Sequence, residues 1–169
     1  IRTLAQRLLS HLLELDRQVQ EIDNQVRELS RQSNVCRRLE QVPGIGPITA
    51  TALVATVGDN VREFKNGRQL AAFLGLVPRQ HSSGGTQRLQ GISKRGDGYV
   101  RRLLVHGARA VLHHTVRKPE RSGGWLAQLA ARRNSNVACV AQANKTARIV
   151  WAMLFHEREF RSDFSADNS

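Results

Sequence analysis

Apolar residues fall on Leu8, Leu12, Leu15, Val19, Ile22, Val26 and Leu29 in alternating steps of four and three, while Glu, Arg, Gln and Asp fill the positions between them. That spacing keeps the apolar residues on one narrow stripe and predicts a coiled-coil seam on a long helix over residues 1–33. Such a stripe needs a partner helix, from another copy of the chain or from sequence outside it. A helix packed on its own domain is the plainer alternative.

A polar break over Ser30–Asn34 is followed by a short apolar approach, a turn at Pro43-Gly44-Ile45-Gly46 and an apolar segment to Val57. The economical reading is helix, glycine turn, helix. The stretch ITATALVATV is β-branched enough to pass for a strand, but its neighbours offer no hairpin partner, so a helix is expected. GRQLAAFLGLVP puts Leu70, Phe73 and Leu74 on one helical face and stops at Gly75 and Pro78. Residues 79–96 show no sustained period and are expected to form a long polar loop, with no strand pair anywhere in the chain. From Asp97, a candidate cap, the helical period returns: Val100, Leu103, Leu104, Ala108, Val111, Leu112 and Thr115 make a stripe to be buried, and Arg102, His106, Arg109 and His113 line the other face. RKPERSGG interrupts the chain, WLAQLAARR predicts a short helix, and Val140, Ala143, Ala147, Val150, Trp151 and Leu154 define a last amphipathic helix. The fold class is therefore mostly α: a long coiled-coil helix, then a compact helical domain over 34–160 with a helix-hairpin-helix-like turn, then a disordered tail over 161–169.

Charge narrows the partners. The 169 residues hold 26 Lys and Arg against 14 Asp and Glu, a formal net charge of +12 spread along the chain. A polyanion such as nucleic acid is the expected partner. These residues show neither an apolar run long enough to span a membrane nor the charged start and apolar centre of a signal peptide, so nucleic acid is expected over a membrane surface. Cys36 and Cys139 are far apart and have no CxxC neighbour, which fits a reducing cytoplasmic setting and gives neither a disulfide framework nor a zinc site. The chain opens on Ile1 without an initiator methionine, the expectation for a fragment, a processed product or an unordered start.

Two places can carry chemistry. Gly44 and Gly46 can let backbone amides and a helix start meet a phosphate, a contact independent of base sequence; equally, they can serve only to pack two helices closely. Ser82 and Ser83 precede Gly84 and are followed by Lys94, Arg95, Arg101 and Arg102, side chains suited to holding phosphates and stabilising charge in a transition state. Arg109 continues the basic face. A serine hydroxyl attacks only when a base or metal activates it, and His81 is a candidate proton acceptor. Most such Ser-Gly strings are solvated loops, so the residues alone leave both readings open. The carboxylates lie mainly on the first helix, as Glu14, Asp16, Glu21, Asp23 and Glu28, and suggest no metal site.

Three stretches, LEQVPGIGPITATALVATVGD, then GRQLAAFLGLVPRQHSSGGTQRLQGISKRGDGYVRRLLVHGARAVL, then ANKTARIVWAML, resemble in order and spacing the carboxy-terminal transposase domain of the insertion-sequence family typed by element one-ten, related to the pilin-gene invertases. The resemblance spans Leu39 to Leu154, and the preceding helix resembles the coiled coil that joins the two halves of these enzymes. It implies a DNA recombinase that cuts and rejoins strands in transposition, guided by a bridge RNA that pairs with target and donor DNA. It also implies a divided active site. An amino-terminal, resolvase-like half holds magnesium on an Asp-Glu-Asp-Asp set, and the carboxy-terminal half supplies a serine that attacks the phosphodiester and becomes covalently linked to DNA. The first half has no counterpart here, so the resemblance places magnesium in a missing half, gives this chain no cofactor and predicts that it does not cleave DNA alone. The family serine maps to Ser83, with Ser82 one position away as the alternative. The family string Ile-Ser-Lys-x-Gly-Asn appears as Ile92-Ser93-Lys94-Arg95-Gly96-Asp97, where Asp keeps a helix cap but adds negative charge. Lys94, Arg101 and Arg102 become phosphate or RNA contacts, and homo-oligomers form through the first helix. The other reading is a non-catalytic DNA- or RNA-binding and dimerisation module that uses the glycine turn and the basic helix.

Overall fold

The computed structural model describes residues 2–83, 86–117 and 124–161, with backbone alone over 80–83 and 86–90. The first helix, α1 (Arg2–Gln32), runs for 31 residues, a length of about 46 Å. It contains no Gly or Pro, and Glu14, Arg17, Gln18 and Glu21 lace its exposed side, with Arg17 Nη2 donating to Glu14 at 2.8 Å. That bond, and a second from Gln18, hold the Glu14 carboxyl below its ordinary pKa. Only the last turns of α1 meet the body, where Ser30 is buried and Val26 half-buried. Leu8, Leu12, Leu15, Val19 and Ile22 are all exposed.

The polar break is a single joint at Ser33. Its amide still donates to Leu29 and Ser30, and its hydroxyl accepts from Cys36 N at 3.3 Å to cap α2 (Asn34–Leu39). The buried Ser30 hydroxyl is satisfied by Glu40 just past α2. The chain then turns through Gly44, at φ +88°, into α3 (Pro47–Val57), which starts with Pro47 in its first turn and no side-chain cap. ITATALVATV is thus helical, as its lack of a strand partner predicts.

After a short 3₁₀ turn (Val61–Glu63), Asn66 caps α4 (Gly67–Phe73) by accepting from Gln69 N. Leu70 and Leu74 are buried, whereas Phe73 is 44% exposed and leans on Phe64. Gly75, at φ +69°, closes α4: its amide donates to Ala72 O and that of Leu76 to Ala71 O, the double bond of a Schellman cap.

The expected long loop is instead an antiparallel hairpin, β1 (Pro78–Ser83) and β2 (Thr86–Ile92), and this corrects both the loop and the absence of strands. Asp97 then caps α5 (Gly98–Arg117), its Oδ1 accepting from Tyr99 N at 2.7 Å and Val100 N at 3.0 Å. The predicted stripe is fully buried at Val100, Leu104, Ala108 and Leu112, with Arg102, His106, Arg109 and His113 exposed opposite. Beyond α6 (Trp125–Arg132), the last helix α7 (Ser135–Phe155) runs through the centre of the body. Its small residues Ala143 and Ala147 let other helices come close. Near them, an added Cβ on Gly67 of α4 would sit 2.9 Å from Arg148 Cα. Leu39, Leu53, Leu70, Leu74, Leu76, Val100, Leu104 and Val150 complete a single main core, and Trp151 Nε1 ties α7 to Phe64 O at 3.0 Å. Of the expected tail, 162–169 lie outside the described residues.

Candidate functional site

The serine segment lies at the far end of the hairpin. In register, Ser82 stands opposite Gln87 and Ser83 opposite Thr86, with an irregularity between Pro78 and Gln80 near the base. Gly84, and the side chains of Ser82, Ser83 and His81, lie outside what is described. The segment is thus carried on paired backbone that rises from the body, about 17 Å long from Pro78 to Ser83 at the usual strand rise.

The base of this ribbon is well defined. Ser93 N donates to Val77 O at 2.8 Å and Lys94 N to Gly75 O at 3.2 Å, so the returning leg runs back along the end of α4. Arg79 crosses the legs to Ser93 O through Nε and Nη2. Lys94 takes φ +55°, unusual for a residue with a side chain, and Gly96 takes φ +83°. At Gly96 an added Cβ would lie 1.7 Å from Phe73 O, so only glycine permits this close approach.

The expected anion-binding cations divide into two groups. Lys94, Arg95, Arg102 and Arg109 are exposed. Among the described residues the ion pairs are confined to α1, so these four cations are not neutralised by carboxylates there. Arg101 differs: its Nη1 donates to Leu74 O at 3.1 Å and Arg95 O at 3.3 Å, inside the protein's own backbone. The negative charge of Asp97 is held at the α5 start, where two backbone amides donate to its Oδ1 as a cap.

The two glycines of the turn also part company. At Gly44 an added Cβ would meet Gly107 O at 2.8 Å, and at Gly107 one would meet Gly44 O at 1.9 Å. The turn and α5 touch backbone to backbone, so Gly44 serves packing. Gly46 is exposed, with nothing within 4 Å of an added Cβ, and the start of α3 beside it has no side-chain cap. Sequence reasoning read Gly75 only as a helix stop and did not single out Gly107 or Asn144, whose Nδ2 donates to Leu76 O at 3.2 Å. For Gly107 and Asn144 the reason is a contact across the fold. For Gly75 the signal was present, as a glycine immediately past a helix end.

Elsewhere, Lys145 Nζ lies 5.1 Å over the Trp125 ring beside an open depression between α5, α6 and α7. Among the described residues no group of three or more His, Cys, Asp or Glu is placed to hold a metal ion. No helix among them is long and apolar enough to cross a membrane.

Residues 36–122, which contain the glycine turn, the hairpin and α5, match the Transposase IS116/IS110/IS902 family. The chain belongs to that family. It is 50% identical over 156 residues to a probable family 20 transposase of Pseudomonas aeruginosa, covering 92% of this chain and 44% of the relative. The transposase for insertion sequence element IS1111A of Coxiella burnetii is 44% identical over 154 residues, covering 91% and 42%. The transposase for element IS1328 of Yersinia enterocolitica is 40% identical over 150 residues, covering 89% and 45%. The chain therefore spans less than half the length of these transposases.

Proposed function

We propose that this transposase region supplies the serine of a DNA strand-cleaving and rejoining site, presented on the hairpin and backed by the exposed cations of the body. The observation that carries the reading is the anchored ribbon with Ser82 and Ser83 at its far end, on a protein of net charge +12. A serine Oγ forms a bond to phosphorus as the bond from phosphorus to one sugar oxygen breaks. The hydroxyl proton leaves to an acceptor, for which His81 is the candidate, and the departing sugar oxygen gains a proton. One phosphodiester replaces another, so the bond energy is kept for rejoining without a nucleotide cofactor. Neighbouring strand positions belong to opposite faces of a ribbon. The position of Ser83 shares a face with that of His81, and Ser82 takes the other, which favours Ser83.

Lys94, Arg95, Arg102 and Arg109 hold backbone phosphates of the DNA or of a guiding bridge RNA, whose base pairing selects target and donor sites. Gly46 offers a further phosphate contact at the α3 start. Groups that bind magnesium lie outside this sequence, so the region alone does not cleave. Two copies join through the exposed stripe of α1.

The test uses the full-length transposase with RNA, magnesium and labelled DNA, and asks whether protein stays attached to DNA on a denaturing gel. An adduct lost in Ser83→Ala but kept in Ser82→Ala is expected. Cleavage without any adduct would point to water as the nucleophile. A second reading, a non-catalytic binding module, is favoured by the exposed basic face of α5, and it predicts that both serines are dispensable while Arg102 is not.

A further inference from the structure

The carbonyl oxygens at the end of α4 are shared between two sets of donors. Those of Gly75 and Val77 accept amides from the returning leg of the hairpin. Those of Leu74 and Leu76 accept side chains from the body: Arg101 of α5 at 3.1 Å and Asn144 of α7 at 3.2 Å. Arg101 Nη1 also reaches Arg95 O at 3.3 Å, so a single guanidinium joins the end of α4, which leads into the hairpin, to the segment that returns from it. It lies directly over Gly75, where an added Cβ would stand 2.9 Å from Nη1.

We propose that Arg101 and Asn144 are positioning residues that set the angle at which the hairpin leaves the body, and through it the place of the serine segment against a scissile phosphate. This rests on the reading of a hairpin serine as nucleophile. A two-stranded ribbon has little stability by itself, so its direction must come from its base. With an arm of about 17 Å, a pivot of about 10° moves the far end by about 3 Å. A misplacement of about 1 Å at a reacting centre can lower a rate about 100-fold. A clamp at the base is therefore worth more to the chemistry than its few hydrogen bonds suggest. Arg101 belongs to the hairpin and not to the phosphate-binding cations.

The experiment compares Arg101→Ala, Arg101→Lys, Asn144→Ala and Arg102→Ala in the full-length transposase with RNA, magnesium and labelled DNA. At saturating DNA, Arg101→Ala and Asn144→Ala are expected to slow adduct formation about 10- to 100-fold. Nucleic-acid affinity and its salt slope stay close to those of the parent, whereas Arg102→Ala lowers the slope by about 1. Arg101→Lys keeps the charge but loses the planar fork, and remains slow. In hydrogen exchange, the amides of Ser93 and Lys94 open faster in both clamp variants while those in the centres of α5 and α7 do not change. If Arg101→Ala fails to fold, Arg101→Lys and Asn144→Ala give the same readings. Normal adduct formation in the clamp variants overturns the proposal, as does a salt slope reduced by about 1 in Arg101→Ala with cleavage of bound DNA intact. If the parent forms no serine adduct, the nucleophile reading fails instead, and unchanged exchange at Ser93 and Lys94 would remove the clamp as well.

Discussion

Gly44 and Gly107 touch although they stand 63 positions apart in the chain, and neither tolerates a side chain toward the other. Gly107 lies inside α5, where alanine would ordinarily gain about 1 kcal/mol of helix propensity. The clash at 1.9 Å with Gly44 O opposes that gain, because backbone cannot rotate away as a side-chain tip can. Gly107→Ala is expected to lower stability by about 1–3 kcal/mol overall, read as a drop in the urea midpoint. Gly46→Ala, with open space around it, changes stability by less than about 1 kcal/mol. The reverse order would show that the turn is not seated on α5 as described. Arg101 teaches a related lesson: a guanidinium seeks oxygens of either kind, so a sequence cannot say whether phosphates or backbone carbonyls will receive it. Asp97 was easier to read because a cap acts on the next two or three residues, and Asp97→Asn should preserve stability where Asp97→Ala lowers it by about 1 kcal/mol in the same urea titration.

The long helices α1 and α5 could be read before the structure because each repeats its signal over several turns. The stripe from Val100 to Leu112 and the seam from Leu8 to Leu29 need no knowledge of what covers them. The hairpin escaped for the opposite reason. Its strands are short and largely polar, and among the described residues there is no second sheet for them to face, so no apolar alternation marks them. Its one local sign was Gly84-Gly85, a two-residue glycine pair of the kind that joins antiparallel strands. At this scale α1 carries its own prediction. An exposed seam of leucine, valine and isoleucine should pair with a second copy, so Leu12→Glu with Ile22→Glu is expected to reduce the mass seen by light scattering without altering the melting of the body. An unchanged mass would mean that the seam meets something other than its twin.

The described residues form a basic helical body that carries the largely exposed α1 helix and the hairpin. A net charge of +12 favours polyanions as partners but does not say which surface would meet them. Arg102 and Arg109 are exposed on one helix without carboxylate partners among the described residues, and this makes a quantitative claim possible. Each replacement by Ala should lower the slope of log affinity against log salt by about 1, with little dependence on DNA sequence. Slopes unchanged in both variants would move the nucleic-acid path to another face. The proposed division of chemistry is not readable from composition, since serines in a polar string are common; the proposal rests on the order of motifs and on the anchored ribbon that carries the serine segment. The most direct test is to trap the full-length transposase on labelled DNA, digest the protein, and locate the nucleotide-bearing peptide by mass spectrometry. A nucleotide on the peptide containing Ser83 is the expected result. A nucleotide attached outside residues 78–92, or cleaved DNA with no linked peptide, would contradict it.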